Sequence, residues 1–263
     1  MLKNLPKITI ITVVFNAAQE IEATLTSIFE QSYINKEVVI IDGGSTDGTL
    51  EIIRKFEHQI DYFTTAQDDG IYDAMNKGIK VGGGDWICFM NAGDLFASND
   101  ILKNIFFQKT LDADILVGDC IVDYKSFTKR VNVKKTSLLD YGMTFCHQSV
   151  FVKTSLYQKK YFDLRFKIAA DFNFFFWCFT KGLEFKTYDF PFSIVSFQGV
   201  SDKMRARVLF ENRQIVREHF RSNMKVELVY FLKIVWILSV TFIKKLLPAS
   251  LVLLIQKYRY RGG

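Results

Sequence analysis

Polar and acidic residues stand directly after several short apolar runs of this chain. Asn16 follows residues 8–15 (ITIITVVF), Asp42 closes residues 37–42 (EVVIID), and the NAGD segment carrying Asn91 and Asp94 follows residues 86–90 (WICFM). The runs are short, apolar and largely without alternation, the pattern of strands buried on both faces. If the strands are parallel, these oxygen-bearing side chains converge on one polar rim. Open α/β sheets bind ligands there, at the carboxyl ends of their strands. Asp42 alone reads equally well as a turn or helix-cap residue; polar residues at three strand ends favour a site. Gly43, Gly44 and Gly48 do not fit GxGxxG and no GxxxxGK[ST] occurs, so neither a dinucleotide fingerprint nor a P-loop is present.

The intervening segments have helical spacing. Residues 18–30 place Ile21, Leu25, Ile28 and Phe29 on one face. The loop 43–48 precedes a helix carrying Leu50, Ile52, Ile53 and Phe56, with Thr46 or Asp47 as its cap. Residues 62–65 read as a third strand and 71–81 as a helix, so strands alternate with helices as in βαβ units. The fold class is therefore α/β with a mostly parallel central sheet flanked by helices. Between 112 and 200 the pattern is more irregular: short strands are expected at 115–117, 121–124, 130–133, 185–188 and 192–197, and an aromatic helix at 169–181. The six phenylalanines and one tryptophan within 166–179 read mostly as core, with one edge free to meet a lipid-linked acceptor.

The chain has 263 residues, 49% hydrophobic and 24% charged, which excludes a disordered chain. Its net charge of +6 divides into −3 over residues 1–201 and +9 over 202–263. A slightly acidic body does not suggest a nucleic-acid binder. The expected organisation is one domain over 1–201 and a helical, basic and apolar tail over 202–263. In that tail, 202–220 reads as a charged helix with Met204, Val208, Ile215 and Val216 inward. Residues 228–243 are apolar except for Lys233, and a second apolar run, 246–255, is broken at Pro248. The first run is short of the ~20 residues that cross a bilayer. Bracketed by Lys244, Lys245, Lys257, Arg259 and Arg261, the tail reads as an interfacial anchor on an anionic membrane surface, with a core helix or dimer interface as the plainer alternative. Four scattered cysteines and three histidines exclude a zinc site of usual spacing and fit a reducing cytoplasm. Residues 1–7 show no signal-peptide core.

ITIITVVFN, EVVIIDGGSTDGT, DDGIYDAMNKGIKVGGGDWICFMNAGD, HQSVFVK and KIAADFNF together resemble glycosyltransferase family 2, most closely bacterial members that build capsular, exopolysaccharide or O-antigen repeat units. The resemblance covers about residues 6–201, and DGIYDAMNKG is its most specific block. It implies a GT-A fold, a nucleotide-sugar donor, Mn²⁺ or Mg²⁺, and inverting transfer. The basic apolar tail, too short and interrupted for a processive synthase, adds the expectation of a single sugar moved to a glycan or polyprenyl-linked acceptor at the inner face of the plasma membrane.

Residue by residue, the resemblance places Thr12, Phe15 and Asn16 by the base and ribose, and Asp42 on a uracil-like imide N–H. Asp68, Gly70 and Asn76 match the donor-pocket positions of the DGIYDAMNKG block. The NAGD segment takes the place of a DXD motif, with Asp94 as metal ligand and Asn91 as an auxiliary group, because Gly93 stands where many relatives have Asp. His147 and Gln148 match a pocket-wall pair, and residues 198–201 a loop over the diphosphate. Asp171 matches the catalytic base; apolar neighbours would raise its pKa and a helix N-terminus would lower it. Tyr72 reads as substrate-facing or core with equal weight. A catalytically degenerate, donor-binding scaffold at the membrane is the non-enzyme alternative. A nucleotidyltransferase is disfavoured because FNAAQEIEAT is no phosphate loop.

Overall fold

The computed structural model describes residues 5–107, 111–197, 204–219 and 221–246. The first half runs β1 (Ile8–Val14), α1 (Ile21–Phe29), β2 (Lys36–Asp42), α2 (Thr49–Lys55), β3 (Tyr62–Thr65), α3 (Ile71–Val81) and β4 (Trp86–Phe89). These four strands are parallel, in the order β3-β2-β1-β4. Val14 pairs with Asp42, and Asp42 with Thr65, so the carboxyl ends of β1, β2 and β3 lie level. Beyond β4 the Ala92 N–H bonds the Val13 carbonyl, bringing Asn91 and Asp94 to the same edge. The rim expected from the sequence is therefore built by strand register.

Every residue of β1 is buried, and its side chains alternate between two cores. Ile11 and Val13 join a cluster with Ile79 of α3; Ile8, Ile10 and Val14 join one with Leu25 and Ile28 of α1. Helix α3 packs directly on the sheet: a Cβ on Gly78 would lie 2.5 Å from Ile11 Cγ2.

The second half adds β5 (Leu95–Phe96), α4 (Ile101–Phe106), β6 (Ile115–Asp123), β7 (Thr128–Val131), β8 (Val150–Lys153), α5 (Thr154–Lys159), α6 (Ala170–Thr180) and β9 (Phe185–Ser196). The sheet continues from β4 as β8-β6-β9-β5, with β7 paired to β6. Here it is mixed, since β8 is antiparallel to β4 and β6 while β9 is parallel to β6. The two pairs of short strands expected at 115–124 and 185–197 are two long strands. Their ladder shifts register between Val117 and Cys120, beside Gly118 and Pro191. Gly118 is required there, because the Phe192 ring occupies the place of a Cβ.

Two helices close the described chain, α7 (Arg205–Glu218) and α8 (Met224–Leu246). Ile215 and Val216 of α7, and Val226 and Tyr230 of α8, belong to the same core cluster as Phe172, Phe174, Phe175 and Phe176 of α6. The phenylalanine-rich helix is thus largely interior. Residues 198–201 and the second apolar run beyond 246 lie outside the described residues.

Candidate active site

The rim begins with two loops bonded to each other. Asn16 adopts a left-handed φ of 48°. Its Oδ1 accepts the Thr46 N–H at 2.8 Å, while its own N–H donates to Ser45 Oγ at 2.8 Å. Ala17 N–H reaches Thr49 Oγ1 and Ala18 N–H reaches Asp47 Oδ2. Gly48, not Thr46 or Asp47, is the N-cap of α2. Asp47 nonetheless accepts the Thr49 N–H at 3.1 Å, satisfying an early helix donor.

Asp42 is fully buried and organises the second loop. It accepts from the Gly44 and Ser45 amides, Ser45 Oγ and Thr65 Oγ1 at 2.5–2.9 Å. Thr12 is also fully buried, inside β1, and its hydroxyl has no partner. What faces outward is Phe15, 62% exposed at the end of β1. Gly43 lies between Phe15 and Asp68: a Cβ there would sit 3.4 Å from the Phe15 ring and 2.5 Å from Asp68 Oδ2. Asp68 Oδ1 accepts the Gly70 N–H at 2.9 Å, fixing the turn into α3, where Gly70 has φ 114°. An exposed aromatic face, a carboxylate and the free edge of a glycine thus meet at one strand end. Asn76 turns the other way. Its amide donates to the Phe162 carbonyl and accepts the Phe162 N–H, both at 2.9 Å, tying α3 to the segment before α6.

The NAGD turn closes with the Asp94 N–H on the Asn91 carbonyl at 2.9 Å, Gly93 holding φ 96°. Asp94 is buried, which pushes its carboxyl up to about 7 against a hydrogen bond from Gln148. Asn91 Oδ1 is buried without a partner. A buried oxygen without a donor is costly unless a ligand or water meets it. Asp94 and Asn91 therefore fit a hard cation that takes its remaining oxygens from a bound diphosphate. Among the described residues no group of three or more His, Cys, Asp or Glu forms a protein-only metal cage.

Asp171 lies in the first turn of α6. The Tyr72 hydroxyl is 2.8 Å from Asp171 Oδ1 and 2.8 Å from the Ile168 carbonyl, two acceptors for one proton. Burial, then the Asp171 charge, pushes the Tyr72 phenol well above its ordinary pKa, so it stays a donor. Tyr72 is thus a buried hydrogen-bond partner of Asp171. His147 packs among Phe89, Phe162 and Phe175 with Nε2 unpartnered. Burial lowers its pKa, and the field of Asp171 opposes that shift. His147 lies in the field of Asp171, and its neighbour Gln148 hydrogen-bonds the Asp94 carboxyl. At Tyr72 a small, open cleft lies between Gly70, Tyr72 and Asp73 on one side and Leu164, Phe166 and Lys167 on the other.

One residue of this region carries no sequence signal. Glu211, on α7, accepts the Lys167, Ile168 and Ala169 N–H groups just before Asp171. A glutamate on a helix rich in arginine reads as a solvated charge.

A half-parallel, half-mixed sheet with a polar rim at the ends of its parallel strands defines a GT-A-like α/β domain. The profile of Glycosyl transferase family 2 matches residues 9–184, and the chain belongs to that family. It is 33% identical over 184 residues to a PGL/p-HBAD biosynthesis glycosyltransferase of Mycobacterium tuberculosis, covering 67% of this chain and 71% of that one. Among solved structures, the mannosyltransferase PcManGT from Pyrobaculum calidifontis, in complex with GDP-Man and Mn²⁺, aligns with a TM-score of 0.65 at 19% identity, over 84% of this chain and 66% of that chain. S. aureus TarS 1-349 in complex with UDP-GlcNAc aligns with a TM-score of 0.63 at 17% identity, over 80% and 66%. The chain spans just under two thirds of each of those two structures, and at such identities the likeness bears on the fold.

Proposed function

We propose that this glycosyltransferase transfers a single sugar, with inversion, from a nucleotide-sugar donor to a glycan or polyprenyl-linked acceptor at the inner face of the plasma membrane. The observation that supports the reading is a pair of carboxylates beside the strand-end rim: Asp94, buried in the turn that carries the unpartnered Asn91 Oδ1, and Asp171, in the first turn of α6 with the Tyr72 hydroxyl 2.8 Å from its Oδ1. A displacement at an anomeric carbon needs a carboxylate on the acceptor side and charge compensation on the leaving-group side.

Phe15 offers a ring face to the base, with Asn16, Asp42, Asp68 and Gly70 shaping the adjoining loops. Asp94, with Asn91, would hold Mn²⁺ or Mg²⁺; when bound, the metal supplies positive charge for the departing diphosphate. Asp171 accepts the proton of the acceptor hydroxyl as that oxygen bonds to the anomeric carbon and the bond to the diphosphate breaks. The Tyr72 hydroxyl holds the carboxylate in place. His147 and Gln148 wall the space between, and the Asn76 tie to Phe162 keeps α3 against the segment that leads into α6. Asp42, fully buried and occupied by the Gly44, Ser45 and Thr65 donors, presents no oxygen to an imide N–H. The match to a uracil acceptor therefore does not carry over, and the thermal-shift test names the base. The PcManGT and TarS complexes contain GDP-Man and UDP-GlcNAc respectively.

Helix α8 supports the membrane reading. Residues Met224–Ile243 have a mean hydropathy of 2.0, by length and composition enough to cross a bilayer. Val226, Tyr230 and Ile234, four residues apart, are buried against the body. A docked α8 is therefore not free to be surrounded by lipid, and an interfacial pose fits its exposed stripe.

The test needs no acceptor. Thermal unfolding is followed with UDP, GDP and dTDP, each with Mn²⁺ and with chelator. A metal-dependent rise with one nucleotide is expected, roughly 2.7 kcal/mol at 100 times Kd. No rise with any of the three in folded protein overturns the donor site.

A further inference from the structure

Glu211 lies outside every motif that marks the rim, yet it is 9% exposed and its carboxylate is fully engaged. It accepts the N–H groups of Lys167 at 3.3 Å, Ile168 at 3.0 Å and Ala169 at 3.1 Å, and Arg207 Nε at 2.9 Å. Three consecutive amides converge on one side-chain carboxyl group, an arrangement that fixes a backbone segment. Ala169 is the N-cap residue of α6 and has no side chain able to cap it. Glu211 supplies that acceptor from another helix.

The same tripeptide is held from its carbonyl side. The Tyr72 hydroxyl that lies against Asp171 Oδ1 lies equally against the Ile168 carbonyl. Asp171 follows Ala169 by two residues. Any movement of 167–169 is thus passed to the Asp171 carboxylate through one turn of backbone and through Tyr72.

We propose that Glu211 is a positioning residue for the transfer reaction, fixing segment 167–169 so that Asp171 faces the acceptor; this rests on the reading of Asp171 as the base. An ångström of misplacement at a reacting group costs on the order of a hundredfold in rate. The effect therefore belongs in turnover and not in donor affinity.

The test compares wild-type, Glu211→Gln, Glu211→Ala, Asp171→Asn and the Glu211→Ala/Asp171→Asn pair. Three quantities are read: melting temperature, exchange rates of the 167–170 amides, and nucleotide release from a panel of UDP- and GDP-sugars with water as acceptor. Glu211→Ala is expected to speed exchange at these amides and lower kcat by about tenfold or more at unchanged donor KM. Glu211→Gln keeps one acceptor oxygen, folds as wild-type, and recovers part of the loss. Adding Glu211→Ala to Asp171→Asn is expected to cost nothing further, since both act through one carboxylate. Unchanged exchange at 167–169, or a loss that multiplies with that of Asp171→Asn, overturns the positioning role. Wild-type release by Asp171→Asn overturns the base and with it the role of Glu211. Loss in Asp171→Asn with wild-type kcat in Glu211→Ala overturns Glu211 alone. If no sugar is turned over, the exchange rates decide.

Discussion

Gly43 is where one side chain would do most harm to the proposed base site without touching the fold. Its φ is not in the left-handed region, so alanine meets no backbone strain, in contrast to Gly44 at φ 87°. The added methyl would sit 2.5 Å from Asp68 Oδ2 and 3.4 Å from the Phe15 ring. Asp68 must move, and its bond to the Gly70 N–H, which sets the turn into α3, moves with it. Gly43→Ala is expected to weaken the nucleotide identified by thermal shift by about tenfold, near 1.4 kcal/mol, with little change in melting temperature. Calorimetric titration checks it, and unchanged affinity would place the base away from Phe15 and Asp68. At this scale the sequence marked positions better than roles. Phe15, Asp68, Asp94 and Asp171 could be found because strand ends and motif blocks point to them. The inward turn of Asn76, the saturation of Asp42 and the grip of Tyr72 on Asp171 depend on contacts 86 and 99 residues apart for Asn76 and Tyr72, and for Asp42 on donors from Gly44 and Ser45 and on Thr65 of the neighbouring strand, 23 residues away. Side-chain type alone does not encode them.

Among the elements, β1 and β2 were legible because buried parallel strands are written as β-branched runs, β4 as a short buried apolar run, and β3, a partly exposed edge strand, from its place in the strand–helix alternation. β6 and β9 were not, since Gly118 and Pro191 interrupt the pattern of strands that bend instead of ending. Helix α7 was legible as a helix and misleading in its polar face, where Glu211, Arg213 and Arg217 all bind other elements. Its junction with α8 is an ionic clasp: Glu227 accepts from Arg217 at 2.6 and 2.8 Å, Ser222 Oγ at 2.5 Å and Arg213 Nε at 2.7 Å. The Arg217 bond, then those of Ser222 and Arg213, hold the Glu227 carboxyl down at about 2. A depressed folded-state pKa means that the clasp is fully present above the ordinary glutamate range, near 4.5, and is lost as pH falls from there towards 2. Glu227→Gln is expected to remove that acid-side decline and to speed amide exchange at the start of α8 at neutral pH. A Glu227→Gln stability profile parallel to wild-type between pH 5 and 2 would show that the clasp does not hold the helix.

For the molecule as a whole, α8 has two faces, one buried against the body and one exposed. Val226 and Tyr230 belong to the core that surrounds α6, with Ile234 buried one turn further on, so removing this helix strips cover from the core that holds the element carrying Asp171. Phe231, Trp236 and Phe242 point outward, 57%, 65% and 65% exposed. An apolar stripe of that size on a basic tail needs a partner, and an anionic lipid surface matches both its apolarity and its charge. The two faces predict separable defects. Tyr230→Ala should destabilise the fold by roughly 3 kcal/mol through a core cavity. Tyr230→Phe should cost little, because that hydroxyl is buried without a partner. Serine at Phe231, Trp236 and Phe242 together should leave the melting temperature near wild-type and abolish cosedimentation with phosphatidylglycerol vesicles. Wild-type cosedimentation should also weaken as salt rises, because the attraction of the basic residues is screened. If the triple variant binds vesicles as wild-type does, the outer stripe serves another partner; if it melts early, the two faces are not independent, and the tail is a structural wall of the catalytic domain.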